Sequence, residues 1–294
     1  MRKILFTGAT GNVGQATLPH LLNQIDAEQT QILGGIRLNS SDANLLPAEV
    51  YPVAFDFGNP ACFAAALLEV HTLFLLRPPQ LANVQKTFAP LIAAAQSAQV
   101  QHIVFLSVQG VAQSSLIPHY GIEKLICESG IAYTFLRPAY FMQNFTTTLL
   151  ADLQKLQRVY LPAGEAKFTL VDLADVGRVA AQVLLNPEKH QNQAYDLTNL
   201  EQLTFEEMAA KLSAGLGKKI TFVSPNLWQF FWQKRREKVP TMLILVMIML
   251  HFLPRFRPTP PTSASIEQIT GQMPQTFEQF ISHNRHLFDP LANK

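Results

Sequence analysis

Through the first half of the chain, short apolar and β-branched runs alternate with longer amphipathic stretches. The runs 3–7, 31–36, 72–76, 102–106 and 132–136 are apolar almost throughout, the pattern of strands buried on both faces of a parallel sheet. Between them, 13–23 and 80–98 carry apolar residues at helical spacing. In the second of these, Leu81, Val84, Phe88, Leu91, Ile92 and Ala95 fall on one face, as in a helix laid against a core. Steady alternation of strand and helix builds right-handed βαβ units. The prediction is an α/β fold, a doubly wound parallel sheet with helices on both sides.

The alternation loosens near residue 140. Runs 168–171, 194–197 and 220–223 read as strands, and 172–185 and 204–215 as helices. From Pro225 onward the pattern is helical and is interrupted at Pro240, Pro254, Pro258, Pro260 and Pro261. The expected organisation is a first domain over 1–150, which also takes in parts of 165–200, and a smaller, mostly helical lobe over 151–294. The stretch 242–250 is apolar at every position. A helix apolar on all sides is expected to be buried, as a lobe helix that caps the cleft or forms the face of a homodimer. The competing reading is contact with a membrane surface, because Lys234, Arg235, Arg236 and Lys238 precede the stretch and Arg255 and Arg257 follow it. Interfacial helices keep a polar face, so burial is preferred and membrane contact is not expected.

Composition narrows the class. Apolar residues make up 48% of the 294 and charged residues 15%, against roughly a quarter charged in an ordinary soluble domain. That is ample for a large core and excludes disorder. Two cysteines, Cys62 and Cys127, are too few for a disulfide framework or a structural zinc site. No metal-ligand spacing and no nucleophile elbow occur. A net charge of +2 gives no sign of a nucleic-acid partner. The N-terminal apolar run soon meets Gly8, which leaves no signal-peptide core, and 242–250 falls well short of the roughly twenty residues of a membrane span. A cytoplasmic protein is expected.

Candidate chemistry begins where the first strand ends. Thr7, Gly8, Ala9, Thr10, Gly11, Asn12, Val13 and Gly14 join strand to helix, the setting in which a glycine motif binds a dinucleotide. Gly8 lets the chain turn off the strand, Gly11 lets backbone N–H groups approach a pyrophosphate, and Gly14 lets the helix pack close to the sheet. Thr10, Asn12 and Val13 belong to the same cradle, whose helix N-terminus adds donors and a favourable dipole. The sheet is therefore expected to be Rossmann-like. Pro19 in the following helix should remove one hydrogen bond or kink it. The next strand ends in Arg37, where an NAD-selective site carries an acid, and a guanidinium there suits a 2′-phosphate. An ordinary surface arginine is the competing reading. NADP(H) is expected over NAD(H), with no metal.

The spacing G-x-x-G-x-x-G resembles that of extended and atypical short-chain dehydrogenases/reductases, and four further stretches resemble their NmrA-like family. Val53-Ala54-Phe55-Asp56-Phe57-Gly58-Asn59-Pro60 is similar to the family's third strand, whose aspartate lies beside the adenine. Thr72-Leu73-Phe74-Leu75-Leu76-Arg77-Pro78-Pro79 is similar to the fourth strand and the loop near the cofactor ribose. Glu123-Lys124, Ser129-Gly130, Tyr133-Thr134 and Leu136-Arg137 match its E-K-x-x-x-x-S-G-x-x-Y-T-x-L-R stretch, and Thr270-Gly271, Pro274, Thr276 and Phe280 match its ending. Only about 225–262 lacks a matching piece. The resemblance implies an NAD(P) domain, a small C-terminal lobe and a cleft between them. It places Asp56, Leu76, Arg77, Ser107, Lys124 and Pro138 at the cofactor. The family holds quinone and other NADPH-dependent reductases, and also regulators that bind the dinucleotide without turning it over.

Tyr120 and Lys124 stand four apart in a helix expected to start at Pro118, so they share a face. In short-chain reductases such a tyrosine protonates the developing alkoxide, while the lysine holds the nicotinamide ribose and lowers the tyrosine pKa. Ser107, after the run 102–106, takes the place of the serine that hydrogen-bonds the carbonyl. The NmrA-like family mostly keeps the lysine and lacks the tyrosine, so Tyr120 stays open between proton donor and surface residue. His119 reads as a first-turn surface residue. Tyr140, Phe141, Asn144 and Phe168 are expected at the substrate, with plain core packing as the alternative. The reading is an NADP(H)-binding oxidoreductase that passes hydride to a quinone or a similar small apolar electrophilic carbonyl. The alternatives are a non-catalytic NADP(H) sensor acting through a protein partner, and an NADPH-dependent reductase or epimerase of another small metabolite.

Overall fold

The structure, a computed structural model, describes residues 1–37, 41–113, 115 and 117–289. The chain divides into two compact units. The first holds Met1–Pro138, Leu173–Leu197 and Ser265–Met273, and the second holds Ala139–Asp172, Thr198–Ala264 and the chain from Pro274 onward. The opening segment of the first unit thus closes at Pro138, short of residue 150. Residues 290–294 of the expected lobe lie outside the described residues.

The first unit begins with β1 (Arg2–Phe6), α1 (Asn12–Leu22), β2 (Thr30–Ile36), β3 (Val50–Ala54), α2 (Phe63–Ala66), β4 (Thr72–Leu76), α3 (Val84–Ser97), β5 (His102–Leu106), α4 (Pro118–Glu128) and β6 (Ala132–Pro138). The chain then contributes β7 (Tyr140–Phe141), α5 (Leu150–Leu156), β8 (Arg158–Tyr160) and β9 (Lys167–Val171) to the second unit. It returns to the first for α6 (Leu173–Leu185) and β10 (Gln193–Leu197). It leaves again for β11 (Gln202–Thr204), α7 (Phe205–Leu216), β12 (Thr221–Val223), α8 (Leu227–Arg236) and α9 (Thr241–Phe252). Helix α10 (Ser265–Thr270) belongs to the first unit and α11 (Phe277–His283) to the second.

Seven strands form one sheet in the order β10-β6-β5-β4-β1-β2-β3, parallel throughout. Alternation along each strand sends side chains to opposite faces. Leu5, Leu73, Leu75, Ile103 and Phe105 point to one core with Phe88, Leu91 and Ile92 of α3 and Ile122 and Ile126 of α4. On the other face Phe6 and Phe74 meet edge to face, 5.0 Å apart. Helix α3 starts at Val84, later than the apolar pattern suggests, because the Asn83 side chain caps it by accepting the Lys86 N–H at 3.0 Å. Helix α1 runs on through Pro19 to Leu22, so the proline does not end it. Helices α1 and α6 are packed backbone to backbone at Gly177, where a Cβ would strike the Ala16 carbonyl.

The second unit carries the three-stranded set β11-β9-β7 and the pair β12-β8 around an aromatic core of Phe145, Phe168, Phe205, Phe230, Phe277 and Phe280. Helix α9 departs from the expectation of burial. Ile244, Met247 and His251 are buried and Ile248 is half-buried, one stripe at helical spacing. Met242, Leu243, Leu245, Val246, Met249 and Leu250 are exposed. A helix lying on a core offers it one side only, and a sequence apolar all round leaves the other sides facing outward.

Candidate dinucleotide site

Thr7 fixes the departure of the chain from β1. Its Oγ1 accepts the Leu76 N–H at 2.9 Å and its own N–H donates to the Phe74 carbonyl at 3.1 Å, which ties the turn to the end of β4. The Gly11 N–H closes the turn on the Gly8 carbonyl at 3.1 Å. Gly11 is the N-cap of α1. No side chain caps this helix, and its first turn holds no acid. Its first N–H groups are thus left to an anion, which is what a pyrophosphate requires. A Cβ at Gly14 would collide with the carbonyl oxygens of Gly8 and Ala9. Gly14 therefore seats the helix start on the turn itself rather than on the sheet, as its spacing had suggested.

A cavity of about 360 Å³ opens beside this turn. Thr7, Gly8 and Thr10 after β1, Gly35 and Arg37 at the end of β2, Asp56 and Gly58 after β3, and Pro78 and Leu81 after β4 line it. All stand at the carboxyl ends of parallel strands, where open α/β sheets hold ligands. The Arg37 side chain is 70% exposed and lies 3.6 Å from the Asp42 carboxylate, which also lines the cavity. Asp56 uses Oδ1 to accept the Gly58 N–H at 2.8 Å. With the Gly11 turn for a pyrophosphate, this cavity has the place and shape for the adenosine end of a dinucleotide. Asn12, Val13 and Gly14 form the helix start rather than the cavity wall.

The remaining expected cofactor residues stand outside this cavity. Leu76 packs against Gly8, where a Cβ would approach its side chain to 3.0 Å. Arg77 donates through Nη1 to the carbonyls of Pro78, Pro79 and Leu81 at 3.1, 3.1 and 2.8 Å, and through Nε to His119 Nε2 at 3.3 Å. Its guanidinium is a brace for the loop after β4. Pro138 is buried at the end of β6, where its carbonyl accepts the Gln109 N–H at 3.0 Å. Ser107 is buried after β5, and its hydroxyl finds no hydrogen-bond partner among the described residues. Tyr120 and Lys124, four apart, share one face of α4. Both are exposed, and the Lys124 ammonium lies 3.7 Å from the Glu128 carboxylate.

His119 is not the surface residue its position suggested. It is half-buried, with its ring 5.9 Å from that of Phe105. Burial first, and then the charge of Arg77, push its pKa down to about 3. The imidazole is neutral, accepts from Arg77 at Nε2 and carries its proton on Nδ1. The buried ion pair of Arg137 with Glu123 was also not foreseen, although both residues lie in the quoted family stretch. Arg137 donates through Nε and Nη2 to the two carboxylate oxygens at 3.0 and 2.6 Å, clamping α4 to β6. No periodic pattern links an arginine on a strand to a glutamate on the preceding helix.

The expected substrate residues lie in the second unit. The Tyr140 hydroxyl is 3.1 Å from His251 Nε2, and His251 Nδ1 is 2.6 Å from the Met247 carbonyl. A carbonyl only accepts, so Nδ1 carries the proton and the tyrosine donates to Nε2. Asn144 hydrogen-bonds the same phenol, and burial pushes the Tyr140 pKa above its ordinary value. Phe168 and Phe205 stand edge-on to the Tyr140 ring at 5.8 and 5.7 Å. Phe141 is half-buried. The sequence signal for His251 is that it is the one polar residue within 242–253.

A glycine turn feeding an uncapped helix, at the head of a seven-stranded parallel sheet, defines a dinucleotide-binding α/β protein. The chain belongs to the NmrA-like family, which matches residues 1–250. It is 30% identical over 295 residues to NAD(P)H azoreductase of Xenophilus azovorans, covering 97% of this chain and 99% of that protein. Quinone oxidoreductase 2 of Escherichia coli (strain K12) is 30% identical over 224 residues, 74% of this chain and 76% of that protein. A crystal structure of NADPH-dependent quinone oxidoreductase QOR2 from Escherichia coli complexed with NADPH has a TM-score of 0.84 at 24% identity, covering 95% of this chain and 99% of that one. The fold is shared as well with Nmra, a negative transcriptional regulator in complex with NAD, at a TM-score of 0.72 and 16% identity over 96% of this chain and 94% of that one. No helix among the described residues is long and apolar enough to cross a membrane, and no cluster of metal-ligating side chains occurs among them.

Proposed function

We propose that this chain is an NAD(P)H-dependent oxidoreductase that prefers NADPH and reduces a quinone or a similar small apolar electrophilic carbonyl compound. The observation that carries the cofactor half is the open helix start at Gly11 with Arg37 and Asp56 beside it. The acceptor half draws on the relatives named for azo and quinone reduction. NADPH, when bound, supplies the hydride. The chain holds its pyrophosphate with the N–H groups of the Gly11 turn, its 2′-phosphate with Arg37 and its adenine beside Asp56. Lys124 is assigned to the nicotinamide ribose and must release Glu128 to reach it. The buried Ser107 hydroxyl is assigned to a carbonyl oxygen, and Tyr120 or water delivers the proton to the reduced oxygen. Tyr140, Phe141, Asn144 and Phe168 are assigned to the acceptor, for which an aromatic surround with one phenol suits a flat ring.

The test is consumption of NADPH by the purified protein with and without a panel of simple quinones and azo dyes, beside NADH. Acceptor-dependent turnover faster with NADPH is expected. Arg37→Ala should weaken NADPH binding about tenfold or more, the value of a charge-assisted pair, and leave NADH binding unchanged. Tight cofactor binding without turnover of any acceptor would instead favour a non-catalytic sensor, the reading supported by the fold shared with an NAD-bound regulator.

A further inference from the structure

We propose that the outward faces of α8 and α9 dock this protein on a bilayer surface that carries anionic phospholipid headgroups. On α9 the side chains of Met242, Leu243, Leu245, Val246, Met249 and Leu250 are exposed, and Leu253 and Phe256 continue the patch beyond its end. On α8, Trp228 and Trp232 stand one turn apart and exposed, their rings 6.4 Å from one another. Monomeric proteins rarely leave so contiguous an apolar surface in water.

Charge selects the occupant. Arg235, Arg236 and Lys238 precede α9, and Arg255 and Arg257 follow it; all five are exposed and none is in a salt bridge among the described residues. No aspartate or glutamate occurs from 238 to 266, and the acid just before, Glu237, is held by Lys234 at 2.7 Å. A second copy meeting this face about a twofold axis would bring the same cations toward themselves. Anionic headgroups offer the opposite sign, at about one kcal/mol, or roughly fivefold in binding, for each cation near the surface.

The lack of a polar face on α9 does not oppose this. A solitary interfacial helix turns its far side to water and needs polar residues there. The far side of α9 is the buried stripe of Ile244, Met247 and His251, which rests on the core of its own unit. Its 12 residues make a rod about 18 Å long, enough to lie in the interface and too short to cross it.

The two tryptophans of the chain are both on α8, so intrinsic fluorescence reports on this face alone. The measurement is co-sedimentation, with tryptophan emission, on extruded vesicles of phosphatidylcholine with and without phosphatidylglycerol. Binding to the anionic vesicles is expected, with a blue shift, quenching by brominated acyl chains and release by high salt. Arg235→Gln with Arg236→Gln should weaken it about 25-fold if the fivefold factors multiply, and Leu245→Glu with Leu250→Glu should abolish it while far-ultraviolet circular dichroism stays unchanged. Absence of binding to either vesicle would overturn the proposal. So would a stable dimer in solution that the leucine variant splits, which would give the face to a second copy. The outcome does not depend on the reductase reading, since no cofactor or acceptor enters the assay.

Discussion

Three histidines are kept neutral by their surroundings. His102 is buried, with Nε2 2.8 Å from Thr134 Oγ1, and burial, then the charges of Arg2 and His190, push its pKa down to about 4. Burial pushes His251 to about 4 as well, and His119 lies near 3. In the unfolded chain each binds a proton near 6.5. The stability gained by keeping them neutral is whole above that value and is lost as pH falls from about 6.5 toward 4, because the unfolded chain then binds protons that the native one refuses. Each of the two most buried rings contributes on the order of 3 kcal/mol to that loss. The melting temperature should drop steeply through this window, and His102→Gln, which can still hydrogen-bond Thr134, should flatten the drop. At the same scale Gly14→Ala should abolish NADPH binding in a fluorescence titration, since its methyl group cannot fit between the helix start and the carbonyls of Gly8 and Ala9. The glycine turn could be read from the sequence because its meaning is local. His251 and Tyr140 could not be paired that way, since their 3.1 Å contact joins residues 111 positions apart.

Among elements, α4 is held to β6 by the part-buried Arg137–Glu123 ion pair as well as by the apolar core that Ile122, Ile126 and Phe135 share. Arg137→Ala would leave the Glu123 carboxylate, 10% exposed, without its cation. The expected cost is about 1–3 kcal/mol, read from urea denaturation, and Arg137→Ala with Glu123→Gln should recover much of it. Gly177→Ala would press a methyl group into the Ala16 carbonyl and force α6 away from α1, for about 1–3 kcal/mol. Six strands of the main sheet and helices α1, α6 and α7 were legible within a residue or two, because buried strands and amphipathic helices write their period into the chain. Thr204, which caps α7 by accepting the Glu207 N–H, marks that helix start just where its pattern begins. Helix α9 could not be placed, since a uniformly apolar segment has no period to say which side faces inward.

For the whole molecule, the class of fold was legible in the alternation of strand and helix. The first unit is assembled from three stretches of chain, and α10 packs on α6 and β10 only after the chain has passed through β11, α7, β12, α8 and α9. Such returns depend on contacts between distant positions. A fragment ending at residue 150 would lack β10 and α6, and should come out of solution as aggregate rather than as a folded domain, as size-exclusion chromatography would show.

The same threading bears on synthesis. Strand β6 leaves the ribosome well before β10, its neighbour on the outer side of the sheet. Until Gln193–Leu197 emerges, the edge of that sheet is β6 rather than β10, and it is β6 that is open to pairing with another chain. The interval lasts while the ribosome makes the whole of α5, β8, β9 and α6. A pause in translation there would lengthen the exposure, and a chaperone that covers β6 would shorten it.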